Sequence, residues 1–233
     1  MMWMVCAIET LGCDGLRRAV EGPAMTPNLY RRTALGLLAT VALLVAGAAD
    51  PPLLEKKIEF DKEDGEEAFR LDPEGSEVEL QTAGGKKRLA TYEKKGSELT
   101  IELPKIGAAG SVSIDEKRER FSIKDNSGTV KWLLLREPDA DWKLTNAKEE
   151  LKLKLKLRDD GYKMVDADDA KKGTVKVGEE RISARNSKGK VLLRTKDTRS
   201  ALAVACFTLE GLTLPEKGAL AIAILTWPPK VTE

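Results

Sequence analysis

Ser200 to Trp227 reads SALAVACFTLEGLTLPEKGALAIAILTW, and no comparable apolar run occurs elsewhere after residue 50. The sequence around it is dense in Lys, Arg, Asp and Glu. A segment so unlike its neighbours must be embedded in a membrane, enclosed by the protein itself, or held by a partner. Arg199 to Leu209 places apolar side chains on every side of a helix, and a helix apolar all round is buried all round. Thr213-Leu214-Pro215-Glu216 has capping-box spacing with proline in the first turn, which starts a second helix, and Pro228-Pro229 stops it. The expected helices are therefore 199–210, with Gly211 as its cap, and 214–226. Each is only about 15–18 Å long, half a bilayer core. Fusing them into one span would place Glu210, Glu216 and Lys217 in lipid, at about 2.5–3.5 kcal/mol each. Those costs favour enclosed core helices over a membrane hairpin or contact with a partner or membrane surface.

Working outward, residues 57–195 follow a period of two. Glu150 to Arg158 reads ELKLKLKLR, with Leu151, Leu153, Leu155 and Leu157 on one face and Lys152, Lys154, Lys156 and Arg158 on the other. Similar alternation runs through 77–81, 98–103 and 111–114, and turn signals such as Asp64-Gly65, Gly84-Gly85, Asn126-Ser127-Gly128 and Asp160-Gly161 separate the runs. A weak repeat sharpens the pattern. Trp142-Lys143-Leu144-Thr145-Asn146, Tyr162-Lys163-Met164-Val165-Asp166 and Ile182-Ser183-Ala184-Arg185-Asn186 are spaced by 20 residues, and Phe121-Ser122-Ile123-Lys124-Asp125 precedes them by 21. Each unit reads as strand, Asx turn, strand, because Asn and Asp side chains bond the backbone of their own turn. Four hairpins over 121–195 and two or three over 57–114 predict a mainly β (α+β) fold. It is an antiparallel hairpin meander of about 10–12 strands, closed or strongly curled into a barrel around one or two C-terminal hydrophobic helices.

Upstream, Tyr30-Arg31-Arg32 precedes an apolar run from Thr33 to Ala46, and Ala46-Gly47-Ala48 supplies an A-x-A cleavage pattern. These features predict a signal peptide over 25–49, with Met25 as the true start and 1–24 as a start-site extension. Export to the periplasm or the exterior follows, the alternative being an uncleaved N-terminal membrane anchor. The single domain is then 50–233, with 35 basic and 35 acidic residues. No Cys stands at the cleavage point to mark a lipoprotein, and the Arg pair is a faint twin-arginine signal. Cys6 and Cys13 fall before the cleavage site, so Cys206 stands alone in the domain and reads as a buried, inert thiol.

The chain has no histidine. That excludes a Ser-His-Asp or Cys-His nucleophile pair, a histidine general base and His-containing zinc or haem sites. With 39 basic against 38 acidic residues, net charge points to no particular partner. The ridge Lys152, Lys154, Lys156 and Arg158 is the candidate binding feature, its charges spaced about 6.8 Å apart, near a lipid-headgroup or phosphate repeat. Its other reading is a solvated strand face that blocks edge pairing. No aromatics interleave with it, so no nucleic acid is expected. Asp166, Asp168 and Asp169 suggest calcium ligands, but Ala170 and Val177 break the loop pattern, so no metal and no cofactor is expected.

A charged β-hairpin meander followed by an apolar C-terminal helix resembles the tubby C-terminal-like superfamily, which includes the LURP-one-related and scramblase-type proteins. The resemblance spans about Ile58 to Leu209 and rests on the Phe121, Trp142 and Tyr162 units with their Asx turns, then Ala201 to Phe207. It implies a closed barrel of about twelve strands around a central hydrophobic helix. It also implies action at membranes, in some relatives by binding phosphoinositides through basic side chains. Relatives are mostly intracellular, and the second helix has no counterpart in the resemblance. The expectation is a non-catalytic exported structural or binding module of the cell envelope. The alternatives are a tubby-like protein binding lipid or a membrane surface and, least favoured, a carboxylate-based hydrolase. Anionic lipid or another envelope component would be the partner.

Overall fold

A computed structural model of the chain describes residues 52–227. The expected extension 1–24 and signal peptide 25–49, with Cys6 and Cys13, lie outside the described residues. The first half consists of β1 (Ile58–Asp61), β2 (Glu67–Glu74), β3 (Glu77–Thr82), β4 (Arg88–Lys95), β5 (Glu98–Leu103) and β6 (Gly107–Asp115). There follow β7 (Arg120–Asp125), β8 (Val130–Arg136), β9 (Trp142–Asn146), β10 (Leu151–Arg158), β11 (Gly161–Val165), β12 (Lys171–Val177), β13 (Ile182–Asn186) and β14 (Val191–Thr195). Two helices come last, α1 (Ala201–Cys206) and α2 (Leu214–Thr226). Each strand pairs antiparallel with its sequence neighbours, and β1 pairs with β14, which closes a barrel of fourteen strands. The expected count of 10–12 falls short of this, as residues 57–114 hold three full hairpins and 120–195 hold four.

One hairpin design recurs around the ring. In each hairpin that joins an odd strand to the next even one, the register slips by one residue near the turn, at Ala68, Leu89, Ala109, Lys131, Lys152, Lys172 and Leu192. These seven bulges recur every 20 to 22 residues along the chain. The pairings at the other rim run without a slip. A bulge increases local twist and bends its strand, and seven at one rim curl the sheet toward closure. The slip at Lys152 also corrects the single-face reading of ELKLKLKLR. Leu151 pairs with Thr145, outside the core, while Leu153 and Leu155 stay inside. Leu157 reaches the rim and is 42% exposed.

The four Asx turns share one bonding scheme. Asp125, Asn146, Asp166 and Asn186 each accept, on the side-chain Oδ1, the backbone N–H groups two and four residues ahead, at 2.9–3.0 Å. The residue three ahead is left-handed in every copy: Gly128 and Gly189 in two, Glu149 and Asp169 in the others. All four turns sit on the bulged rim.

The helices fill the barrel. Leu202 to Cys206 of α1 and Gly218 to Ile224 of α2 are buried without a break, which leaves neither helix a wet face. Helix α1 packs on β11–β13 and α2 on β4–β7, so together they bridge opposite walls. The chain enters from the unslipped rim after β14. Thr208 Oγ1 meets Met164 Sδ near the bulged rim, α2 returns, and Trp227 ends under Lys94 at the first rim. Phe207 closes an aromatic cluster with Phe60 and Phe69, at ring-centroid distances of 4.5 and 4.8 Å. Helix α1 is shorter than the expected 199–210. Its cap is Phe207, and Gly211 instead takes φ +87° in the connecting loop against the Trp132 ring. Helix α2 matches the expected 214–226, including the capping box at Thr213 and Glu216. The apolar stretch is thus an enclosed helical hairpin, and no described helix is long and apolar enough to cross a membrane.

Candidate functional site

Among the described residues the two helices line most of the interior. Behind β1 and β14, beside Phe60, Leu71, Val204 and Leu225, one void of about 10 Å³ has space for one water. Cys206 is fully buried, its Sγ donates to the Leu202 carbonyl at 3.3 Å, and burial pushes the thiol far above its usual range. Two carboxylates are buried among the described residues, Asp141 and Glu216, and each is held by structural bonds. Asp141 Oδ1 accepts from Leu157 N at 2.7 Å. Glu216 caps α2 and meets Lys131 at 2.6 Å. Burial alone would raise the Glu216 pKa, but Lys131 and the Thr213 bonds outweigh it and hold the carboxyl below its usual range.

The sequence-predicted ridge is brought together on β10, and three of its four charges meet a carboxylate. Lys152 meets Glu150 at 3.0 Å, Lys154 meets Glu137 at 2.9 Å, and Lys156 meets Asp169 at 2.6 Å. Arg158 donates to the Leu157 carbonyl. Two of the three aspartates weighed as calcium ligands are also engaged. Asp166 holds its turn and meets Lys172 at 3.2 Å, and Asp169 holds Lys156. Among the described residues, no group of three or more acidic or cysteine side chains is placed to hold a metal ion.

The weakest join in the barrel is between β1 and β14, whose register contains the single pair Asp61 and Arg194. The strands splay to either side of it. A groove of about 430 Å³ lies between Lys62–Asp64 and Lys190–Leu192, and one of about 180 Å³ between Lys56–Glu59 and Thr195–Asp197.

The outer surface carries an organisation that net charge conceals. On β9 to β14 the side chains pointing away from the core include Lys143, Lys154, Lys156, Arg158, Lys163, Lys176, Arg185 and Arg194, and no acidic residue. On β2 to β5 they include Asp72, Glu74, Glu77, Glu79, Glu93, Glu98 and Glu102, against Arg70, Arg88 and Lys95. Strands β4 and β11 stand seven apart in a ring of fourteen, so the two walls face opposite directions. Counting segments separately reveals this in the sequence. Residues 57–103 hold 8 basic and 13 acidic residues, and 151–200 hold 15 and 8. Both walls present charge where a lipid-facing barrel presents an apolar band.

No known family matches the chain, and no curated protein does. Among solved structures, the crystal structure of BamB from Moraxella catarrhalis aligns over 57% of this chain at 10% identity, with a TM-score of 0.18. The alignment spans 56% of that chain, and so weak a likeness transfers neither fold nor role.

Proposed function

We propose that the protein is an exported, non-catalytic structural or binding module of the cell envelope, working through its outer surface. The observation that carries this reading is the filled interior. A barrel whose lumen is occupied by its own two buried helices leaves little space for a carried ligand or a conducting path. The buried carboxylates Asp141 and Glu216 serve strand and cap, which speaks against their use as a hydrolase pair. Export rests on the leader read from residues 25–49. The test is to express the full chain in a bacterium and sequence the N-terminus of the product in each fraction. The reading expects a chain beginning at Asp50 in the envelope or periplasm. Full-length protein confined to the cytosol contradicts it.

A tubby-like membrane-surface protein is the second reading, favoured by an apolar helix enclosed in a closed β-barrel. The fourteen strands and the second helix depart from that pattern. Here the ridge Lys152, Lys154, Lys156 and Arg158 would touch anionic lipid. Replacing all four with Gln abolishes co-sedimentation with anionic vesicles if the ridge is the contact, and unchanged co-sedimentation removes it.

A further inference from the structure

The two walls are charged at a cost to the isolated barrel. Directly paired strand positions place Lys156 opposite Lys163 and Lys143 opposite Lys154 on one side. On the other they place Asp72 opposite Glu79, and Glu77 opposite both Glu74 and Glu93. Like charges directly across a strand pair destabilise a sheet. Ion pairs relieve part of this strain, mostly from carboxylates in the turns, as at Lys156 with Asp169 and Lys176 with Asp160. Lys163 and Arg194 on the basic wall, and Glu74, Glu77 and Glu102 on the acidic wall, have no oppositely charged partner within 4 Å among the described residues. A surface of opposite sign would relieve both walls, and the molecule carries that surface on its own far side.

We infer that the basic wall of β9 to β14 docks against the acidic wall of β2 to β5 on a second copy of this chain. Because the two surfaces differ and lie back to back, the contact is head to tail and open-ended, and it builds rows rather than closed dimers. Exposed ion pairs contribute only about 0.2–1 kcal/mol each, so association is weak and depends on low salt. The inference stands on charge placement alone and is independent of export.

Sedimentation velocity on the purified protein tests it. In about 20 mM salt the weight-average mass should rise with concentration, about twofold by the highest concentrations, and should stay at the monomer value in about 0.5 M salt. Lys156→Glu/Lys163→Glu/Lys176→Glu cancels most of the basic wall's net charge, and Glu77→Lys/Glu93→Lys/Glu102→Lys reverses that of the acidic wall. Each variant alone should remain monomeric at low salt, and an equimolar mixture should regain the mass increase. Lys105→Glu/Lys117→Glu/Lys148→Glu shifts net charge equally but in turns, off the strand faces of both walls, and should still associate. Thermal unfolding checks that each variant is folded. Where a triple variant is not, Lys163→Glu and Glu102→Lys singly should each weaken association several-fold. A monomer under every condition overturns the proposal, as does association indifferent to the wall reversals or lost equally in the off-wall control. Retention on anionic vesicles without self-association also overturns it and assigns the basic wall to lipid headgroups.

Discussion

Lys131 Nζ lies 2.6 Å from Glu216 Oε1 and joins the wall of the barrel to the first turn of the helix inside it. Lys131 is the slipped residue of the β7–β8 hairpin. Its counterparts Lys152 and Lys172 meet acidic residues at the outer surface, at Glu150 and Asp166. At this one position the recurring bulge is used to fasten the helical hairpin. Glu216 answers with both oxygens, one to Lys131 and the other to Thr213 N at 2.7 Å.

Glu216→Gln should therefore lower stability by about 1–2 kcal/mol at neutral pH, since it weakens a charge-assisted bond and the cap together. The pH dependence has a definite sign. The folded carboxyl titrates below its ordinary value of 4.5. Its contribution is complete above that value and is lost as pH falls through the lowered folded value. Chemical unfolding between pH 7 and pH 3 should show a shallower acid limb in Glu216→Gln than in the wild type.

Tyr92 and Gly218 are fitted to each other. Tyr92 Oη donates to the Pro215 carbonyl at 2.9 Å, and a Cβ at position 218 would lie 2.3 Å from that oxygen. Gly218→Ala should cost about 1–3 kcal/mol through overpacking, although alanine is the better helix former. In a Tyr92→Phe background the oxygen is gone, and the same change should cost much less. A double-mutant cycle measured by denaturant midpoint gives the coupling. Additive effects would show that the two residues are not in contact.

The Asx turns predict opposite outcomes for two kinds of change. Asn186→Ala removes both side-chain bonds to Lys188 N and Lys190 N and should cost about 1 kcal/mol. Glu149, at φ +61°, occupies the position that glycine fills in two of the other turns. Glu149→Gly should stabilise by about 0.5–1 kcal/mol, because glycine accepts the left-handed conformation without a steric penalty. Thermal melts of the two variants should move in opposite directions.

Removal of Leu214 to Glu233 empties the space α2 occupies between α1 and β4–β7. The buried side chains of Leu220, Ile222 and Ile224, each at most 1% exposed, go with it, and the wall residues that face them lose their cover. The truncated chain should be aggregated or molten, with exposed hydrophobic surface that binds a reporter dye. A soluble product with cooperative unfolding would mean that α1 alone suffices for the core.

Much of this was legible because the pattern and the physics agree. Alternating Leu and Lys over 150–158, the 20-residue spacing of Trp142, Tyr162 and Ile182, and the capping box at Thr213 each specify one local structure. Strand β4 was harder to read. Its inward residues are Ala90 and Tyr92, one small and one amphipathic, so the alternation is faint and the strand count comes out low. Register slips are invisible to periodicity, which is why alternation alone puts Leu151 on the wrong face. The polarised walls went unread because whole-chain charge cancels. Only the distribution between 57–103 and 151–200, combined with closure of the ring, separates them in space.

The central claim is that the apolar hairpin lies inside a closed barrel, and Cys206 reports on it directly. With Cys6→Ser and Cys13→Ser in place, Cys206 is the sole thiol of the chain. The measurement is its labelling rate with a water-soluble thiol reagent under native conditions, compared with the global unfolding rate from denaturant kinetics. An enclosed helix predicts that labelling is no faster than global opening and accelerates in step with it as denaturant is added. Labelling within minutes on a folded chain would place α1 at the surface and contradict the account.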